Sequence, residues 1–122
     1  VIFEKKVDNL QLDVSQAVPL GLIINEAVTN SIKYAYPQQA QGMITITLIK
    51  GAADENVLQI KDNGPGLKKG FNPQKMDSMG MNLMRGLSKQ LGGSFEMLDD
   101  NGVLISIIFK TEVFITTSPA AA

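Results

Sequence analysis

The sequence predicts a two-layer α/β (α+β) sandwich, a mixed and largely antiparallel sheet covered on one face by helices. Two segments repeat apolar residues at i, i+3 and i+4, so each helix has one face to bury. The other ordered segments alternate apolar and polar residues, and short polar turns join some of them into antiparallel neighbours. Helices with one apolar face beside a single sheet pack most economically as two layers. With 122 residues, 44% of them hydrophobic, the chain fills one such core and excludes a second full domain. The domain is expected over residues 1–110, with residues 111–122 as a C-terminal tail that is partly disordered.

Ile2 to Val7 reads as a short strand. Leu10 to Val14 leads into a helix with Ser15 as N-cap. Pro19 lacks an amide, so regular helix is expected to begin near it, after a looser turn. Leu20, Ile23, Ile24, Ala27, Val28, Ile32 and Ala35 then form the core face, and Pro37 ends the helix. Met43 to Lys50 alternates Ile44, Ile46 and Leu48 against Thr45, Thr47 and Ile49; Gly51 to Asn56 is a turn, and Val57 to Asp62 the returning strand. Asn63 to Met79 has no period and is punctuated by glycine and proline, and so long a loop in a small domain is usually functional. From Gly80 a second helix turns Leu83, Met84, Leu87 and Leu91 inward and ends on the left-handed cap Gly92-Gly93. Ser94 to Leu98 and Val103 to Lys110 form a hairpin about Asp99-Asp100-Asn101-Gly102.

Composition removes several function classes. There is no cysteine, hence no disulfide framework, thiolate metal site or cysteine nucleophile, which suits a reducing cytosol. There is no histidine either, so an imidazole base, a histidine metal ligand and a phosphohistidine are all missing from this chain. A net charge of -1 argues against a nucleic-acid groove. Apolar runs such as Leu20 to Ile24 fall far short of the ~20 residues a membrane helix needs, and Val1 to Val7 alternates with charges where a signal peptide would have a basic start and an apolar block. A cytoplasmic location without membrane contact is expected for this segment, and it is compatible with a membrane anchor elsewhere in a longer parent.

Three motifs carry chemistry. Glu26, Asn30 and Lys33 are spaced i, i+4, i+7, which on an α-helix sets a carboxylate, an amide and an ammonium in one stripe opposite the core face. Hard oxygen donors suit Mg²⁺, whose shell is completed by phosphate and water, and Lys33 can neutralise phosphate. The plain alternative is a solvated polar face. Asp62 ends a strand ahead of Gly64 and Gly66, which let backbone approach a ligand while one acceptor points at it. An acceptor-only carboxylate selects an exocyclic amine, so it favours adenine over guanine; the plain alternative is an Asx turn. Gly80 opens a helix whose free amides and positive dipole end can cradle phosphates, or which is simply a capped start. Met76, Met79, Met81 and Met84 cluster nearby and are expected to fill irregular gaps.

Taken together, the motifs resemble the ATP-binding catalytic domain of sensor histidine kinases, within the superfamily that includes gyrase, Hsp90 and MutL. The resemblance runs from about Ile2 to Lys110 and implies the Bergerat-type ATP-binding fold. The run from Ala17 to Tyr36 looks most like the subgroup with second-type phosphoacceptor domains, because Glu26 stands where many histidine kinases have Asn. The run from Ser78 to Gly93 resembles that subgroup too, with Asn82 in place of a second glycine, and Val103 stands where the family commonly has Thr. The resemblance implies ATP and Mg²⁺ as cofactors. Asn30 would hold the metal, with Glu26 as a ligand directly or through water and as the catalytic carboxylate. Lys33 would meet the phosphates, Tyr34 would lie against the nucleotide, and Asp62 would meet the adenine amine. Gly64, Gly66, Gly80, Met81, Asn82 and Leu83 would line the remaining contacts. The implied partners are a histidine-bearing dimerisation domain of the same parent and a response regulator. Rival readings are an anti-sigma-type serine kinase or an ATPase of the same superfamily, which Glu26 permits, and a non-catalytic nucleotide-binding module, suggested by Asn82 and Val103.

Overall fold

A computed structural model describes residues 2–35, 42–64 and 79–111, apart from the side chains of Tyr34 and Ala35. In chain order the elements are β1 (Ile2–Val7), α1 (Val14–Asn30) continued by a π-turn (Ser31–Ala35), β2 (Met43–Lys50), β3 (Glu55–Asp62), α2 (Met79–Gln90), β4 (Ser94–Asp99) and β5 (Val103–Lys110). The strands form one five-stranded sheet in the order β1-β2-β3-β5-β4. β1 runs parallel to β2, with α1 in the connection between them, and every other pairing is antiparallel. The expected mixed, largely antiparallel sheet is therefore present.

Alternation determines which face is covered. In β3 the buried positions are Asn56, Leu58, Ile60 and Asp62, and their cross-strand partners include Ile44 on β2 and Ile105, Ile107 and Phe109 on β5. Leu20, Ile23 and Ala27 of α1 and Met81, Met84 and Leu87 of α2, with Leu91 just beyond, close over this face to complete one core. β1 lies beyond the helices and is exposed along its whole length.

The helix ends differ in part from expectation. Helix α1 is capped by Asp13, whose side chain accepts from the Ser15 amide at 2.9 Å, so Asp13 and not Ser15 is the N-cap. Helix begins at Val14 and runs through Pro19, which is buried with Leu20 and Ile23. Packing of that apolar face outweighs the single i→i−4 bond that Pro19 cannot donate. The α-helical part ends at Asn30, ahead of the π-turn; Pro37 lies outside the described residues. β3 begins at Glu55, two residues before the expected Val57, because the turn closes tightly: Gly51 N donates to Glu55 O at 2.6 Å and Glu55 N to Ala52 O at 3.1 Å. Helix α2 ends as expected, with Gly92 at φ 69° and the amides of Gly92 and Gly93 donating to Lys89 O and Ser88 O, both at 2.9 Å. Leu83, expected inward, is exposed, and Met81 takes a place in the core.

The far end of the sheet carries its own polar ties. Gln16 Nε2 donates to Lys110 O at 2.8 Å and Asn56 Nδ2 to Thr111 Oγ1 at 2.7 Å, fastening the start of α1 and the middle of the sheet to the end of β5. Residues 65–78 of the glycine- and proline-punctuated loop and the tail beyond Thr111 fall outside the described residues.

Candidate functional site

The first and third motifs meet where α1 and α2 cross. Glu26 and Asn30, both half-buried, face Gly80 so closely that a methyl group there would overlap Glu26 Oε1 and stand 3.4 Å from Asn30 Nδ2. Glycine at position 80 thus leaves room for the end of the Glu26 side chain, with Asn30 packed alongside. The Glu26 carboxylate lies beside the first turn of α2, where the helix dipole favours negative charge. A carboxylate and an amide, both half-buried on one helix face, supply hard oxygen donors of the kind Mg²⁺ accepts, so the residue types present fit that ion once the Asn30 amide, whose Nδ2 faces Gly80 here, presents its Oδ1. Among the described residues no cluster of three or more His, Cys, Asp or Glu could hold a metal by itself, so such an ion would need oxygens from a ligand and from water.

Lys33 does not complete the stripe. A π-turn takes more residues per turn than an α-helix, so Lys33 lags behind the position that i+7 spacing would give it. It is exposed, whereas Glu26 and Asn30 are half-buried. π-turns of this kind occur frequently at functional sites.

Asp62, the last residue of β3, stays on the buried face and is 3% exposed. A carboxylate is tolerated there because three donors satisfy it. Its Oδ1 accepts from the amides of Gly64 and Val103, both at 3.0 Å, and its Oδ2 accepts from the Ser31 hydroxyl at 3.0 Å. The Gly64 bond is the Asx turn that Asp-Asn-Gly-Pro-Gly suggests, and it uses Oδ1 alone. Gly102, at φ 131°, packs on Asp62 so tightly that any Cβ would strike its carbonyl and stand 2.9 Å from Oδ1. The neighbouring Asn63 ties the same strand end to β2, its Oδ1 accepting from the Met43 amide at 2.9 Å.

Ser31 directly follows Asn30, so its hydroxyl joins the Glu26–Asn30 group to Asp62. Ser31 and Gly102 are therefore site residues that the motifs did not single out, while Val103, noted for standing where the family commonly has Thr, joins the site through its amide. Gly102 read as a hairpin residue, and the Val103 contact is made by a backbone amide that any side chain at that position would leave intact. Of the other expected contacts, Met81 is buried in the core, while Asn82 and Leu83 are exposed on α2. Gly66 and the Tyr34 side chain lie outside the described residues. A separate cleft of about 410 Å³, lined by Glu55, Gly92, Gly93, Ser94 and Lys110, lies away from this site at the other end of β3.

Residues 15–115 match the family described as histidine kinase-, DNA gyrase B- and HSP90-like ATPase. The chain belongs to this family. The match takes in α1, Asp62 and α2, the elements that meet at the site. Sensor histidine kinase PdtaS of Mycobacterium tuberculosis is 39% identical over 90 residues, 72% of this chain and 18% of that protein. Nitrate/nitrite sensor protein NarQ of Escherichia coli is 31% identical over 108 residues, 87% of this chain and 18% of that protein. The chain thus spans about a fifth of the length of these curated relatives. Among solved structures, the histidine kinase domain of the Erythrobacter litoralis EL346 blue-light-activated kinase superposes with a TM-score of 0.81 at 20% identity, covering 90% of this chain and 51% of that one. At that identity the likeness is one of fold.

Proposed function

We propose that this chain binds Mg-ATP and donates the γ-phosphoryl group to a histidine on a separate dimerisation domain of the same parent, in two-component signalling with a response regulator. The observation that carries the reading is the meeting of Glu26 and Asn30 with the start of α2, joined through Ser31 to the buried Asp62. Family membership implies ATP binding; magnesium, the acceptor and the partners belong to the proposal. Residues 1–110 act as the catalytic unit in the cytoplasm. Among the described residues no helix is long and apolar enough to cross a membrane.

In this reading Asp62 accepts from the adenine amine, and Gly64 and Gly66 let the base approach. Asn30 and Glu26 hold the ion, which would neutralise phosphate charge, and Lys33, Gly80, Met81, Asn82 and Leu83 surround the triphosphate, with Tyr34 against the nucleotide. Phosphoryl transfer asks a protein chiefly for positioning and charge stabilisation. Glu26 is suited to orient the incoming imidazole or take its proton, with the help of neither histidine nor cysteine from this chain. Glu26→Gln should accordingly lower transfer more than nucleotide affinity, and equal losses in both would remove the catalytic role.

One observation favours a second reading. A carboxylate at Glu26 also fits an ATPase or an anti-sigma-type serine kinase, whose phosphorylated product is stable to acid where phosphohistidine is not. The case for a module without catalysis is weaker, since the Val103 contact to Asp62 runs through backbone.

A further inference from the structure

Asp62 Oδ1 is filled by two backbone amides, so only Oδ2 has capacity to spare for a ligand. Ser31 donates to that same Oδ2 at 3.0 Å from the α1 side. The hydroxyl thereby takes one of the two lone-pair directions on Oδ2 and leaves the other, and it stops the carboxylate from rotating about its bond to Cβ. Ser31 is itself held in place: its amide bonds to Ala27 O and Val28 O as α1 passes into the π-turn.

We propose that Ser31 is a positioning residue that aims the free lone pair of Asp62 at the base, and so determines how strongly the site prefers a 6-amino purine. The inference rests on Asp62 as the base reader. Hydrogen bonds weaken steeply off line, so a carboxylate held through Oδ1 alone keeps its charge and burial yet loses aim. The hydroxyl also ties base recognition to Asn30, its neighbour in sequence, so base and ion would be read from one continuous stretch at the end of α1.

A merely structural Ser31 would satisfy a buried oxygen and do nothing more. Calorimetry on the whole 122-residue chain separates the two, comparing Mg-ATP with magnesium purine riboside triphosphate, which has hydrogen in place of the 6-amino group. Wild type should bind ATP about tenfold or more tightly than the deamino nucleotide. Ser31→Ala should narrow that ratio by about three- to tenfold, through weaker ATP binding with the deamino affinity unchanged. Ser31→Thr should restore the ratio, and Ser31→Cys, similar in size but a weak donor, should behave like Ala. A wild-type ratio near one would remove the base-reading role of Asp62 itself. A normal wild-type ratio that survives in Ser31→Ala or Ser31→Cys, or equal loss for both nucleotides, would overturn the positioning role and leave Asp62 standing.

Discussion

Replacing Asp62 with asparagine exchanges one carboxylate oxygen for an amide nitrogen at nearly constant volume. The internal bonds survive the exchange. The remaining oxygen can accept from Gly64 and Val103 at the present 3.0 Å, and the new Nδ2 can donate to Ser31 Oγ once that hydroxyl rotates. Three charge-assisted bonds become neutral ones and the second Nδ2 hydrogen is left to the ligand side, so the variant should lose about 1–3 kcal/mol of stability while still folding. A ligand amine, by contrast, would face a donor where it had a charged acceptor. Loss of one charge-assisted hydrogen bond costs about 2 kcal/mol, or about thirtyfold in affinity for ATP. Guanine presents a carbonyl at the corresponding position and should gain relative to adenine. Calorimetric titration of both proteins with Mg-ATP and Mg-GTP, alongside urea denaturation, reads both quantities. Equal affinity of wild type for ATP and GTP, or an unchanged ratio in Asp62→Asn, would refute the reasoning.

Three other perturbations follow from the site and its supports. Asn30→Ala should weaken nucleotide binding mainly in the presence of magnesium, whereas Lys33→Ala should weaken it about equally in magnesium and in EDTA; an Asn30→Ala loss that is the same in both removes the metal assignment. Gly102→Ala should cost about 2 kcal/mol or more in urea denaturation, since its φ of 131° and the Asp62 carbonyl both oppose a Cβ. Gly80→Ala should cost less than about 1 kcal/mol, because there only the ends of Glu26 and Asn30 need to move, and equal costs at the two glycines would contradict the geometry. Hydrogen bonds from Ser15 lower the pKa of Asp13, so its cap is at full strength above the usual carboxylate value and is lost as pH falls through the lowered one. The gap in urea midpoint between wild type and Asp13→Ala should therefore hold constant above about pH 5 and close below about pH 4, and a gap independent of pH would show that the charge contributes nothing.

What could be read from the residues alone follows from where side chains, and where backbone, do the work. The strands were legible because one face of the sheet is covered, and Ile44, Leu58, Ile60, Ile105 and Ile107 alternate accordingly. The start of α1 was not, since Asp13 and Ser15 are both good caps and only packing decides that Pro19 lies inside the helix. Leu83 was read inward on hydrophobicity, yet it lies about 100° around the helix from Met84, while Met81, Leu87 and Ser88 share the buried arc. The residues of the three motifs were legible as polar groups set against an apolar face. The π-turn that displaces Lys33 and the Val103 amide on Asp62 are main-chain features with no side-chain signature. Ser31 differs, being visible in the sequence, but its partner lies 31 residues away on another element.

The central claim is that the chain is a phosphoryl donor whose acceptor imidazole lies on another domain. Its most direct test links the chain to a histidine-bearing dimerisation domain, which raises the effective concentration of the acceptor, and supplies ATP labelled on the γ-phosphate. The chain alone, having no histidine, should bind ATP and take up no acid-labile label. The linked protein should become labelled on histidine, with label that acid removes and alkali does not. Acid-stable, alkali-labile label on serine of another protein, with none on histidine, would contradict the account.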